Sequence, residues 1–257
     1  MVADASVPGE MTLLEHLNEL RSRLVKISLA IIVGSALAYG FWDEVSAVLL
    51  GPYCELELFA EEGAQRCALR FDAPLEGFST RIKVSMLLGV FLGGPVVFYQ
   101  LWRFIVPGLT DKERRYAAPF VFVSQILFGI GIAFAWFILP NALRVLTSLG
   151  GASLRPEFRA NEYVSFILTT SVAFGVVFLM PVVLVFLALL GVVSAKGLAV
   201  ARPYAVVGTA IVAAVITPTT DPVTMLAMMG PMVLFYEISI LFARFFERRR
   251  RKRAAAS

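Results

Sequence analysis

Few side chains in this chain are equipped for covalent or metal chemistry. His16 is the only histidine, which leaves no second imidazole for a metal centre of the usual His-containing kind, and none in reserve for a serine or cysteine triad. No HExxH, P-loop or GxGxxG pattern occurs. Asp221 and Glu237 could move protons, yet nothing around them resembles a paired aspartyl motif. These absences point away from an enzyme and from a bound cofactor or metal. Cys54 and Cys67 are not spaced as CxxC, so redox catalysis fits them poorly. A disulfide fits them, stabilising by roughly 3 kcal/mol in the chain-entropy picture, and so do two free buried thiols. Two further carboxylates each have a local structural use. Glu19 precedes Arg23 by one helical turn and can form an exposed ion pair with it, while Glu113 follows Thr110 in a capping-box pattern that starts a helix.

The elements that must position these groups follow from composition. Hydrophobic types make up 58% of the 257 residues and charged types 16%, with a mean hydropathy of +0.79. A soluble domain runs near a quarter charged, so the apolar excess must be buried in something larger than the chain's own core. This excludes a soluble globular enzyme, a disulfide framework and a disordered or collagen-like chain. Apolar runs of about 20 residues are long enough to cross about 30 Å of hydrocarbon as helices. The expectation is an all-α polytopic membrane protein with six transmembrane helices, at about 25–42, 84–102, 116–139, 163–193, 204–217 and 223–243. Pro181 lies within the fourth, and Gly93, Gly94 and Pro95 interrupt the second. The fifth and sixth helices are expected to be short, joined by a tight turn over 217–222. A fifth span of about 14 residues reaches only about 21 Å, which demands a locally thinned bilayer or shielding neighbours. The competing arrangement joins segments five and six in one re-entrant hairpin.

Charge separates the two arrangements. With six spans, 16 Lys and Arg fall on the side that holds both termini and the loops near 103–115 and 194–203, against 7 on the other side. The excess sits at span ends, which places both termini in the cytoplasm. The start of the chain is acidic, with Asp4 and Glu10, and reads as lacking a cleavable leader. Residues 1–246 form one membrane domain, and 247–257 form a basic cytoplasmic tail. That tail, with Arg248, Arg249, Arg250, Arg251, Lys252 and Arg253, directly follows a span and carries no aromatic or groove-reading element. It reads as an anchor for anionic lipid, with no nucleic acid implied.

At the other end, Leu13, Leu17, Leu20 and Leu24 recur at helical spacing against Glu15, Asn18, Glu19, Ser22 and Arg23. An amphipathic helix over 11–23, lying on the membrane surface and capped by Thr12 and Glu15, is expected. Gly89 and Gly93 form a GxxxG pattern that reads as internal packing.

Several stretches occur in a telling order. His16-Leu17-Asn18-Glu19-Leu20-Arg21 comes first, then Phe104-Ile105-Val106-Pro107-Gly108-Leu109 followed by Glu113-Arg114-Arg115. Arg202-Pro203-Tyr204 and Thr217-Pro218 with Asp221 come last. Together they resemble the ordered motifs of the TatC family, the signal-peptide receptor subunit of the twin-arginine protein translocase. The resemblance runs from about residue 11 to 246 and keeps each motif in its loop.

The resemblance implies a cupped six-helix receptor in the cytoplasmic (inner) membrane that recognises the paired-arginine signal peptides of folded proteins. It implies TatA-type and TatB-type single-span partners, several copies in a receptor complex, and export driven by the proton motive force. On the matching positions Glu19 and Glu113 would receive the two arginines, with Arg21 and Phe104 beside them. Two parallel charge-assisted hydrogen bonds to a carboxylate favour a guanidinium over an ammonium. Pro52 and Phe78 match functional positions in the first external loop, and Thr217, Pro218 and Asp221 match a turn that contacts partner helices. The chain departs from the pattern at Leu179, where many relatives carry an intramembrane glutamate, and at Met225, where some carry glutamine. Gln125 and Glu237 remain as polar groups inside spans; a charged Glu237 costs roughly 3 kcal/mol, so it is neutral, near the cytoplasmic interface or paired with a partner, and it is expected either to make a partner or transport contact or to be an interface-placed structural residue. The reading from another class is a small-solute secondary transporter, which calls for internal repeats or mid-membrane charges. The sequence offers no convincing repeat, and the interrupted spans carry no buried charge beside the interruption.

Overall fold

The computed structural model describes residues 13–54, 69–105, 117–149, 159–216 and 222–254. The described part is helical, its one β-type pairing being an isolated bridge between Arg70 and Arg159. From Leu13 to Val33 the sequence holds neither glycine nor proline, and α1 accordingly runs unbroken from Leu13 to Gly40, 28 residues. From Leu13 on, the stretch expected as a surface helix is continuous with the spanning helix, because nothing in the sequence breaks the ladder between them. A short α2, Trp42–Cys54, follows inside the segment expected to be an external loop. Its Trp42, Val45, Leu49 and Tyr53 recur at helical spacing and pack on one core cluster with Val84, Leu139 and Tyr163.

The second span is broken where Gly93, Gly94 and Pro95 lie. α3, Glu76–Leu92, and α4, Gly94–Ile105, meet at 58°. Pro95 has no N–H to give the carbonyl of Phe91. The Gln125 side chain from the next helix donates to that carbonyl at 3.3 Å, which accounts for an amide inside an apolar span. α5 runs from Ala117 to Leu149, ten residues beyond the expected end at 139, and passes through Pro140. The fourth span divides into α6, Ala160–Val177, and α7, Met180–Leu189, with Pro181 in the first turn of α7. Just past the end of α7 stands Gly191, the one described residue with positive φ (76°). There the N–H of Val192 reaches the carbonyl of Leu187 at 3.0 Å and that of Gly191 reaches Ala188, a Schellman closure.

A brief α8, Ala195–Val200, capped by the Ser194 hydroxyl, leads into α9, Arg202–Ile216, and then α10, Pro222–Ala254. The expected shortness holds for α9, at 15 residues. It does not hold for α10, whose 33 residues include most of the basic tail. No glycine or proline follows Pro231 before the chain ends, and arginine propagates a helix well.

Among the described residues, four helical stretches are long and apolar enough to cross a membrane: Leu17–Gly40, Ala118–Val145, Ala160–Leu189 and Met228–Arg249. The bent pair α3 and α4 supplies a fifth, and Arg202–Val215 is a shorter apolar helix. Outward side chains such as Ile32, Phe122, Phe137 and Val215 are exposed and apolar, as a surface against lipid requires.

Packing uses two different chemistries. α1 crosses α3 backbone to backbone: a Cβ on Gly89 would stand 2.6 Å from the carbonyl of Ile31, and one on Gly34 would stand 2.8 Å from that of Gly89. Glycine is required there by proximity, as small residues are at helix contacts in lipid. α4, α5 and α7 instead meet through rings. Trp102 lies 4.6 Å from Phe186 and 5.0 Å from Phe120, centroid to centroid, with Phe98 and Phe128 beside them.

Candidate functional site

Residues expected to act fall into three places. The first is the end of the molecule that holds the start of α1. Gly93 at the α3–α4 break lies against Ala30 of α1, and α4 packs along α1. Eleven residues further on in α4 is Phe104, and eleven residues back in α1 is Glu19. The break and the close helix approach thus bring both to the same end. Glu19 accepts a hydrogen bond from the Arg23 guanidinium, the i+4 pair anticipated from spacing. Arg23 is buried, however, so this pair is not the solvated one that its position on a polar face implied. Arg21 is exposed and lines a shallow apolar trough with Leu17, Leu20, Leu24 and Ser28. Phe104 is half-buried in the last turn of α4, next to Arg103, whose guanidinium lies 6.0 Å from the Tyr99 ring. Trp102 anchors that turn by donating its indole N–H to the Ser124 hydroxyl at 3.1 Å. Glu113 lies outside the described residues.

The second place is the contact between α9 and α10. Glu237 lies within the last span and binds Arg202 at the start of α9: Nε to Oε1 and Nη2 to Oε2 are both 2.8 Å. The guanidinium fork meets both carboxylate oxygens, so a charge inside the span is compensated within the chain. The adjacent Tyr236 donates its hydroxyl to the carbonyl of Leu198 at 2.7 Å, and Glu247 accepts the N–H of Ala195 at 2.7 Å. One stretch of α10 therefore braces the α8–α9 corner at three points. Arg202 was legible as a motif residue, but its partnership with Glu237 was not. Thr217, Pro218 and Asp221 lie outside the described residues, and Met225 is half-buried beside the core of α6 and α10.

The third place is the opposite end. Pro52 is buried within α2, while Phe78 in the first turn of α3 is exposed. Cys54, the last residue of α2, is in a disulfide; the chain's other cysteine, Cys67, lies outside the described residues. Glu76 is a polar hub that sequence reasoning missed. Its carboxylate accepts the N–H of Asp72 at 2.7 Å and that of Asn161 at 3.0 Å, tying the start of α3 to the start of α6. Arg159 pairs with Asp72 at 2.8 Å across the same corner. Arg81 donates to the carbonyl of Tyr39 at 2.7 Å, satisfying an acceptor at the end of α1. No local pattern points to this hub, since its partner lies 85 residues away.

Between α2, α3, α5 and α6 is a cavity of about 490 Å³ lined by Val48, Val84, Phe91, Trp136, Ile167 and Ser171, among others. Neither helix break holds an ionisable group: Gln125 fills one and Leu179 stands at the other.

Several apolar helices of membrane-crossing length, with polar groups gathered at their ends, define a multi-pass helical membrane protein. The family model for the Sec-independent protein translocase protein (TatC) matches residues 15–231. The chain belongs to the TatC family and is a component of the Sec-independent, twin-arginine protein translocase. It is 36% identical to the TatC of Carboxydothermus hydrogenoformans, an alignment covering 92% of this chain and 94% of that protein. It is 37% identical to the TatC of Aquifex aeolicus over 94% of this chain and 98% of the relative. A crystal structure of the twin-arginine translocase receptor TatC superposes with a TM-score of 0.74 at 36% identity, covering 91% of this chain and 100% of that one.

Proposed function

We propose that this protein is the receptor of its translocase, binding the paired arginines of signal peptides at the end that holds Glu19 and passing folded cargo across the inner membrane. The observation that carries the reading is the Glu19–Arg23 pair at the end of α1. This carboxylate already accepts a guanidinium, and it stands at the same end as Phe104. An incoming arginine meets the same hydrogen-bonding surface, and Glu113 in the neighbouring loop receives the second. Arg21 and Phe104 flank the site.

Six crossings with both termini in the cytoplasm are supported by the four long stretches, the bent pair and the short α9, together with the excess of basic residues on the terminal side. Single-span TatA-type and TatB-type subunits dock near the α9–α10 turn at Thr217, Pro218 and Asp221, and several copies assemble in the receptor complex. Pro52 and Phe78 act at the outer face, where Cys54 pairs with Cys67. The proton motive force drives transport. Glu237 serves this machinery as a brace for α9 through Arg202.

The test is the affinity of the protein in lipid nanodiscs for a peptide with two adjacent arginines against its two-lysine twin, repeated with Glu19→Ala and Glu113→Ala. The expected result is an arginine preference of at least tenfold that either substitution removes. Equal weak binding by every combination would overturn the assignment.

A further inference from the structure

Between α5, α7 and α10 lies a groove of about 470 Å³ that none of the functions above uses. Pro119, Val123 and Ile130 line it from α5, Val185 from α7, and Phe235 and Phe246 from α10. From Pro119 to Ile130 it extends eleven residues of helix, about 16 Å, close to half the hydrocarbon thickness of a bilayer. Val123 and Phe242 on its rim are exposed, so it opens sideways. Three residues beyond Phe246, on the same face of α10, is the exposed Arg249, whose guanidinium lies 4.3 Å from the Phe245 ring. Arg114 and Arg115 precede the start of α5 in the sequence.

We infer that this groove and the arginine at its mouth form a binding site for one anionic phospholipid of the leaflet that faces the chain termini. One acyl chain lies in the groove, and the phosphate meets Arg249. The lining is apolar throughout, as an acyl chain requires. Charge favours a lipid over a partner helix: Arg249 is exposed one helical turn beyond Phe246 on the groove's own face of α10, where an anionic headgroup would sit. The cationic mouth then selects the headgroup, because each arginine near the surface favours an anionic lipid about fivefold. The basic tail thereby gains a defined partner in place of a diffuse attraction to the membrane surface. The inference stands independently of the signal-peptide reading.

The experiment uses the full chain in nanodiscs that contain phosphatidylglycerol or phosphatidylcholine with a photoactivatable acyl chain, and maps the labelled residues by mass spectrometry. Phosphatidylglycerol is expected to label the groove lining about fivefold more than phosphatidylcholine at equal mole fraction. The variant Arg249→Gln, which leaves the packed core untouched, is expected to abolish most of that preference, and Arg248→Gln, on the other side of α10, to keep it. Val123→Trp with Val185→Trp fills the groove and is expected to remove the label there, with a thermal melt confirming that the fold persists. Equal labelling by both lipids, or label spread evenly over all lipid-facing helices, would overturn the site. Displacement of the label by purified single-span subunits at constant lipid would assign the groove to a helix and overturn it as well.

Discussion

Glu19 and Glu237 each hold an arginine, but the two pairs are built for different purposes. Glu19 reaches Arg23 one turn along the same helix, so the pair can open without any helix moving. Glu237 holds Arg202 on another helix, 35 residues away in the chain, with both oxygens engaged and both side chains 44% exposed. Beside it, Tyr236 fixes the same corner. A local pair leaves its carboxylate exchangeable between one guanidinium and another, whereas a bidentate pair between helices is a brace. On the function proposed above, the same charges serve reception at one end of the molecule and rigidity at the other.

The contrast can be broken most severely through the backbone. Gly89→Leu drives a side chain into α1 at Ile31 and Ser35 and is expected to cost about 3 kcal/mol, read as a lower melting temperature in detergent. It should displace Glu19 with α1 while leaving a cysteine crosslink placed between α9 and α10 intact. Next in size, Glu19→Gln should weaken twin-arginine peptide binding by about 2 kcal/mol, measured by titration in nanodiscs, and should also lower stability by about 1.5 kcal/mol because Arg23 is buried. Glu237→Gln should act on stability alone. Stability falls by about 1 kcal/mol, a figure kept low by the exposure of the pair, and peptide affinity is unchanged. A double-mutant cycle with Arg202→Gln should return most of that loss as coupling. Smallest is Gln125→Leu, which removes the donor to Phe91 at the break and should cost about 0.6 kcal/mol in the same melts.

What the sequence reveals here is what local rules govern. The apolar runs, the break at Gly93 to Pro95, the short α9 and the Glu19–Arg23 spacing all follow from neighbours within one or two turns. α2 is masked because it is brief and contains Pro52, although Trp42, Val45, Leu49 and Tyr53 carry its period. The partner of Glu237 is illegible because ion-pair choice between distant helices depends on how α9 and α10 are set side by side. The buried state of Arg23 belongs to the same category, since a helical pattern gives a polar face without saying what will cover it. Glu76 as a hub and the groove between α5, α7 and α10 are likewise products of assembly and not of any segment.

The ring cluster at the end of α4 has an optical consequence. The chain has three tryptophans, and Trp102 is the buried one whose indole N–H is held by Ser124 and whose ring is enclosed by Phe120 and Phe186. It stands two residues before Phe104 in the same helix. With Trp42 and Trp136 replaced by phenylalanine, its emission becomes a native reporter of events at that end, blue-shifted while the rings stay closed and moving to longer wavelength when the last turn of α4 is pulled away from α5.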